Sequence, residues 1–236
     1  MVSVPRLYEK IYAAIMDRLD KAPAIRKRLF TWATGVGRQW AHARRDNRRP
    51  GLGLTIRHGL ADRLVLRKIR DIVGGDKNFF SAGGAPLAKE IEEFFLDIGL
   101  LVCQGYGLTE TAPMISYNTP QHFKFGTVGR PAPGCRVRIG TDGEIQVKGP
   151  NVMLGYYNNP EATEAVFDDG WFRTGDVGVI DAEGFLVITD RIKDLIITSG
   201  GKNIAPQRIE TAVGKDHYIE QITTIGDRRK FISALI

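Results

Sequence analysis

Cysteine is scarce in this sequence. The 236 residues contain two, Cys103 and Cys135. Two thiols exclude a disulfide framework and a CxxC-type zinc centre, and they suit a reducing compartment. Long apolar runs are also missing: the best candidates, such as IGLLV at 98–102, stop after a few residues, far short of the roughly 20 that span a bilayer. The opening MVSVPRLYEK lacks the apolar centre of a secretory signal. These absences predict a cytoplasmic, soluble protein that is at most peripheral to a membrane. Histidine is sparse too, and His42, His58, His122 and His217 lie far apart. They show no metal-ligand spacing and read as surface or structural residues. Familiar site signatures fail in turn. GVGRQW, GLGLTI and GYGLTE each lack the third glycine of a dinucleotide fingerprint, SGGKN is not a Walker loop, and no G-x-S-x-G elbow occurs.

What is present is ordinary globular material. Apolar residues make up 43% and charged residues 25%, which excludes disorder and fibrous repeats for the whole chain. The length fits one large domain or two smaller ones, with a core that needs neither disulfides nor metals. The net charge of +6 permits a phosphate ligand or an anionic membrane surface and demands neither. Much of it lies between residues 18 and 70, in RKR at 26–28 and the pairs at 44–45 and 48–49, with Trp32 and Trp40 among them. A solvated helical face anchored by two aromatics explains this stretch; a peripheral patch for anionic lipid is the sharper alternative. Nucleic acid is not expected, because the aromatics do not interleave with the charges as a stacking platform requires.

Periodicity then places elements. Leu7, Ile11, Ile15 and Leu19 share one face of a helix over 5–20. A second helix is predicted from about Leu60 to Val73, stopped by Gly74 and Gly75. A strand at 79–87 leads into a helix opened by Pro86 and closed by Gly99, and LLVCQGYG reads as a buried strand entering a glycine-rich loop. This is the rhythm of a layered α/β domain with a largely parallel sheet. After about residue 127 the pattern becomes antiparallel, with hairpins turning at Asp142-Gly143 and at Gly184. DLIITSGGKN is a predicted strand, PQRIETAV a helix opened by Pro206, and 231–236 a last strand. Residues beyond about 190 look like the start of a small α+β unit.

Two glycine-rich loops, SAGGAPL and QGYGLTET, each follow a predicted strand, which is where open α/β sheets bind ligands. Gly83, Gly84, Gly105 and Gly107 let backbone approach a ring or phosphate closely. Tyr106 can stack on a base, Thr109 can offer a hydroxyl to a phosphate oxygen, and Glu110 a hard oxygen to Mg²⁺. Taken singly each loop is a turn; together they point to a nucleotide.

Six ordered motifs carry a resemblance over nearly the whole chain: SAGGAPL, QGYGLTETAP, TVGRPAPG, DGEIQVKGPNVMLGYYNNPEAT, GWFRTGDVG and DRIKDLIITSGGKNIAPQRIE. The sequence resembles the adenylate-forming (AMP-binding) enzymes, most closely the long-chain fatty acyl-CoA synthetases. That resemblance implies an α/β fold: the C-terminal part of the large adenylate-forming domain over 1–190, with an antiparallel section, then an incomplete small domain over 191–236. It implies ATP-dependent activation of a fatty acid to an acyl-adenylate, transfer to CoA, and ATP, Mg²⁺ and CoA as cofactors and substrates. Gly83, Gly84, Ala85 and Pro86 would flank the adenine, and Gln104, Gly105, Tyr106, Gly107, Leu108 and Thr109 would line the nucleotide, with Tyr106 stacking and Thr109 on the α-phosphate. Glu110 would hold Mg²⁺, Asp176 both ribose hydroxyls, and Arg191 the ribose. Lys193 would be the hinge, and Ser199, Gly200 and Gly201 would line the pantetheine path. A carrier protein in place of CoA, or a non-catalytic nucleotide- or membrane-surface-binding module, are the alternatives. Oligomeric state and acyl chain length stay open. The Ser/Thr/Gly-rich phosphate loop and the C-terminal lysine of the family are not found in this sequence, and neither Lys215 nor Lys230 matches the lysine's context. The chain therefore reads as a truncated piece, expected to be inactive alone.

Overall fold

The computed structural model describes every residue except Met1, Asn47, 76–78, Lys215, His217 and Glu220, and it leaves the side chains of Asn203 and Arg208 undescribed. The readings of His217 and Lys215 thus lie outside the described residues. Two units divide the chain. One comprises Met1–Gln104 with Thr119–Gly126, the other Gly105–Asn118 with Thr127–Ile236.

In the first unit, α1 (Pro5–Asp20) begins at Pro5, whose fixed φ suits the first helical turn. Its inner face is rotated from the predicted one: Tyr8 and Ile15 are buried, while Leu7 is left exposed. Tyr8 decides the rotation, because its ring meets Phe80 and Phe95 at 5.9 and 5.7 Å and its hydroxyl donates to the Ser81 carbonyl at 2.8 Å. The basic stretch supplies α2 (Ala24–Arg45), with Trp32 packed on the core and Trp40 stacked on His58 at 4.4 Å. The helix predicted from Leu60 starts earlier. It comprises α3 (Leu52–Ala61), a π turn over Asp62–Leu66, and α4 (Arg67–Ile72). The short parallel strands β1 (Val2–Ser3), β2 (Phe80–Ala82) and β3 (Val102–Gly107) form the expected parallel part, with Phe80 opposite Val102. Helix α5 (Lys89–Asp97) opens three residues after Pro86, after an extended Ala88, and the Leu87 backbone before it is clamped on both sides by the Gln104 amide.

The second unit begins with Gly105–Gly107 of β3, which pairs antiparallel with β4 (Met114–Tyr117), itself paired with β5 (Arg130–Pro131). A second sheet orders β10 (Leu186–Arg191), β9 (Trp171–Ile180), β7 (Glu144–Lys148) and β6 (Arg136–Ile139), with β8 (Phe167–Asp168) also on β9. Both predicted hairpins are there, and both turns place glycine at positive φ, Gly143 at 81° and Gly184 at 82°. WFRTGD at 171–176, which has no clean alternation, is the first part of β9. Helix α6 (Pro160–Ala165) is capped by the Asn159 side chain. After a 3₁₀ turn over Ile192–Asp194, the predicted strand at 194–203 is instead a tiny hairpin, β11 (Ile196–Ile197) with β12 (Asn203–Ile204). Then follow α7 (Pro206–Val213), β13 (Thr223–Ile225) and its antiparallel partner β14 (Ser233–Leu235). The boundary expected at 190 falls inside this second unit.

The first unit is held by polar groups as well as by its aromatic core. Arg70 Nη1 donates to Asp62 Oδ1 at 2.7 Å and to the Ile98 carbonyl at 3.0 Å, tying the π turn to the end of α5. Arg70→Met strands the largely covered Asp62 carboxylate, and the denaturation midpoint should fall by an amount equal to about 1–3 kcal/mol. A midpoint unchanged in urea would contradict this. Glu92 on α5 is fully buried and accepts the Gly126 N–H at 2.8 Å. Burial pushes its carboxyl from 4.5 up to about 7. The folded state therefore keeps a proton that the unfolded chain has lost, and stability falls as pH rises through that window. Thermal melts from pH 5 to 8 should show this decline, and Glu92→Gln should flatten it.

Candidate functional site

Two of the predicted site residues of the second unit, Tyr106 and Arg191, meet on the carboxylate of a third, Asp176. Alternation along β3 turns Tyr106 into the second apolar cluster, beside Ile115, Ile145 and Leu186. Its hydroxyl donates to Asp176 Oδ2 at 2.6 Å, and Arg191 Nε donates to Asp176 Oδ1 at 3.0 Å. Register explains the second contact, since Arg191 at the end of β10 lies opposite Asp176 on β9. Thr174 completes the frame: its hydroxyl accepts the Asp176 N–H at 3.1 Å and donates to the Ile145 carbonyl at 2.8 Å. Asp176 is 3% and Tyr106 8% exposed. Burial first, then the neighbouring carboxylate, hold the Tyr106 phenol far above its ordinary pKa, so it stays a donor. A carboxylate has about four acceptor positions, so Asp176 retains capacity for two more donors.

Glycines 105 and 107 answer to the fold before any ligand. A side chain on Gly107 would place its Cβ 1.5 Å from the Pro113 carbonyl oxygen, and one on Gly105 would press on Met114. Gly84 is different: it sits at φ 87° with nothing within 4 Å of a built Cβ. That loop, with Gly83, Ala85 and Pro86, belongs to the first unit, as does Gln104. The Gln104 amide is occupied by both polar atoms of the Leu87 backbone, so it acts as a clamp on the loop's exit.

After β3 the chain makes a 3₁₀ turn over Thr109–Thr111. The buried Thr111 hydroxyl accepts the Leu108 N–H at 2.9 Å and lies 2.9 Å from the Pro113 carbonyl, and Ala112 follows at a left-handed φ of 48°. Thr109 is exposed. A distant segment braces the turn. Asn151 Nδ2 donates to the carbonyls of Thr111 (3.2 Å) and Met114 (2.9 Å), the Met153 N–H to the Glu110 carbonyl (2.8 Å), and the Tyr156 hydroxyl to Glu110 Oε1 (3.0 Å). Burial and the Glu110 carboxylate raise the Tyr156 phenol pKa. Among the described residues no cluster of three metal-ligating side chains exists. Glu110 alone offers a hard oxygen, which fits Mg²⁺ carried largely by water and phosphate and does not fit a protein-built cage.

Lys193 is exposed within the 3₁₀ turn, and Ser199, Gly200 and Gly201 form the exposed turn between β11 and β12. The Ser199 N–H donates to the Arg229 carbonyl at 3.0 Å. Sequence reasoning singled out Tyr106, Asp176 and Arg191 without seeing that they touch. It missed Thr111, Asn151, Tyr156 and Thr174; all four lie within the motifs, but no spacing marks them.

Two contacts of very different exposure hold Asp176. Tyr106→Phe removes a buried donor to a charge and should cost about 1–3 kcal/mol of stability. Arg191→Met removes a partner that is 56% exposed and should cost less than about 1 kcal/mol. Urea denaturation of both variants checks the ranking, and the reverse order would refute it.

Known proteins resemble the chain on the same ground. Residues 1–157 match the family described as AMP-binding enzyme. All 236 residues align at 42% identity with long-chain-fatty-acid–CoA ligase FadD15 of Mycobacterium tuberculosis, covering 39% of that protein. The whole chain aligns at 38% with long-chain-fatty-acid–CoA ligase ACSBG1 of Homo sapiens, covering 33%. Among solved structures, O-succinylbenzoate coenzyme A synthetase MenE from Bacillus subtilis in complex with AMP gives a TM-score of 0.63 at 35% identity, over 72% of this chain and 38% of that one. The same enzyme with ATP and magnesium ion gives 0.62 at 31%, over 79% and 44%. The chain thus spans about two fifths or less of the length of the curated relatives named here.

Proposed function

The chain belongs to the AMP-binding enzyme family, and from that premise we propose that it serves the ATP-dependent activation of a long-chain fatty acid and its transfer to CoA. The observation that carries the reading is the buried Asp176 carboxylate, held by Tyr106 and Arg191 with acceptor positions to spare. Such a group suits the paired hydroxyls of a ribose. Two relatives named as long-chain-fatty-acid–CoA ligases supply the substrate class.

In this proposal a fatty carboxylate attacks the α-phosphorus of ATP, forming the acyl-adenylate and expelling pyrophosphate. The CoA thiol then attacks the acyl carbon and AMP leaves. The protein's part is positioning and charge stabilisation. Asp176 and Arg191 would hold the ribose, Tyr106 would meet the adenine, and the Thr109 hydroxyl would meet a phosphate oxygen. Glu110 would hold Mg²⁺, which offsets phosphate charge when bound. A pivot at Lys193 would exchange the groups for one half-reaction for those of the other, with Ser199, Gly200 and Gly201 along the thiol's path. Asp190 supports a pivot there: it is 2% exposed, and its Oδ2 has no hydrogen-bond partner among the described residues. A buried carboxylate with an unpartnered oxygen is a cost that another orientation can relieve. The basic residues of α2 are read as solvated surface, and the protein as cytoplasmic.

Calorimetry in EDTA, without metal, tests the nucleotide site on this chain. AMP and ATP should bind with similar, weak affinity, because the ribose and adenine groups are present and no triphosphate cradle is recognised in these residues. Asp176→Asn should weaken AMP by about 10- to 100-fold, as expected for hydrogen bonds to a charge. ATP binding tenfold tighter than AMP, or Asp176→Asn without effect, would refute the assignment.

A further inference from the structure

We propose that Tyr156 is a positioning residue for the metal-binding carboxylate, a role that rests on reading Glu110 as the Mg²⁺ ligand. The Tyr156 hydroxyl donates to Glu110 Oε1 across 46 residues of sequence. No other hydrogen bond reaches that carboxylate among the described residues, so without it the side chain would turn freely about its own torsions. Oε2 is left for the ion. A hydrogen bond to one oxygen of a ligating carboxylate fixes the direction in which the other presents its lone pairs.

Tyr156 is itself held. Its N–H donates to Thr163 Oγ1 at 2.9 Å, and the Thr163 hydroxyl donates to the Asn159 carbonyl at 2.8 Å, at the start of α6. Gly155 lies at φ 157°, and a Cβ there would come within 2.8 Å of the Thr163 methyl. The Met153 N–H on the Glu110 carbonyl pins the backbone of the same residue. One segment, 151–156, therefore fixes both the backbone and the carboxylate of Glu110, and α6 fixes that segment. The arrangement makes GYYNNPEAT part of the metal site although no residue in it need touch the ion.

The test compares the chain with Tyr156→Phe, Glu110→Gln and the double variant, using Mn²⁺–ATP followed by water-proton relaxation and ATP in EDTA followed by calorimetry. Tyr156→Phe should weaken Mn²⁺–ATP by about 10- to 100-fold, the usual effect of removing an outer-sphere partner. Metal-free ATP binding should stay within about twofold. In the Glu110→Gln background, Tyr156→Phe should add nothing, since it acts through that carboxylate. Thr163→Val, which leaves both side chains intact but frees the Tyr156 backbone, should give a smaller loss of the same metal-dependent kind. Equal losses with and without metal would reduce Tyr156 to a structural part and overturn the proposal. So would an unchanged Mn²⁺–ATP affinity in Tyr156→Phe alongside a weakened one in Glu110→Gln. An unchanged affinity in Glu110→Gln would instead remove the metal assignment itself, and the role of Tyr156 with it.

Discussion

A carboxylate sealed from water must be met by donors from the protein, because leaving it unpaired costs several kcal/mol. Asp176 is such a group, and the second unit is arranged around it. Tyr106 reaches it from β3, Arg191 from β10, and Thr174 secures its backbone from within β9. One charge thereby ties β3 of one sheet to β9 and β10 of the other. The same contacts leave the carboxylate with acceptor capacity to spare, which is the ground on which we propose that it receives a pair of hydroxyls.

The turn over Thr109–Thr111 depends on a different solution. It is too short to satisfy its own polar groups, and 151–156 does that work from outside, through Asn151, Met153 and Tyr156. Gly107 lets the turn fold back so far that the Pro113 carbonyl occupies the space a side chain would need. Residues whose composition suggests access for a ligand are in part there for the backbone's own approach. Gly84, with open space around it, keeps the simpler explanation.

In the first unit, polar groups again do what apolar packing cannot. Arg70 joins the π turn to the end of α5, and Gln104 clamps Leu87 ahead of the start of α5. Glu92, buried on α5, accepts the Gly126 N–H and so ties the short Thr119–Gly126 segment to its unit. These contacts add direction to a core in which the rings of Tyr8, Phe80, Phe94 and Phe95 pack together.

The sequence alone determined the elements whose cause is local. The helix over 5–20, the hairpins at Gly143 and Gly184, and the helix opened by Pro206 follow from periodicity, proline and positive-φ glycine, which act within a few residues. It determined the family as well, through six motifs in order, and it picked out Tyr106, Glu110, Asp176 and Arg191 as residues of interest. Which of these touch was decided only by the tertiary structure. Tyr106 and Asp176 are 70 residues apart and Glu110 and Tyr156 are 46 apart, distances over which no spacing rule operates. The same holds for the first part of β9, whose strand conformation comes from its neighbours rather than from its own alternation, and for the rotation of α1, set by a tyrosine that finds a carbonyl on β2. Contact between distant segments is a property of the closed fold, because only tertiary packing brings those side chains within hydrogen-bonding reach.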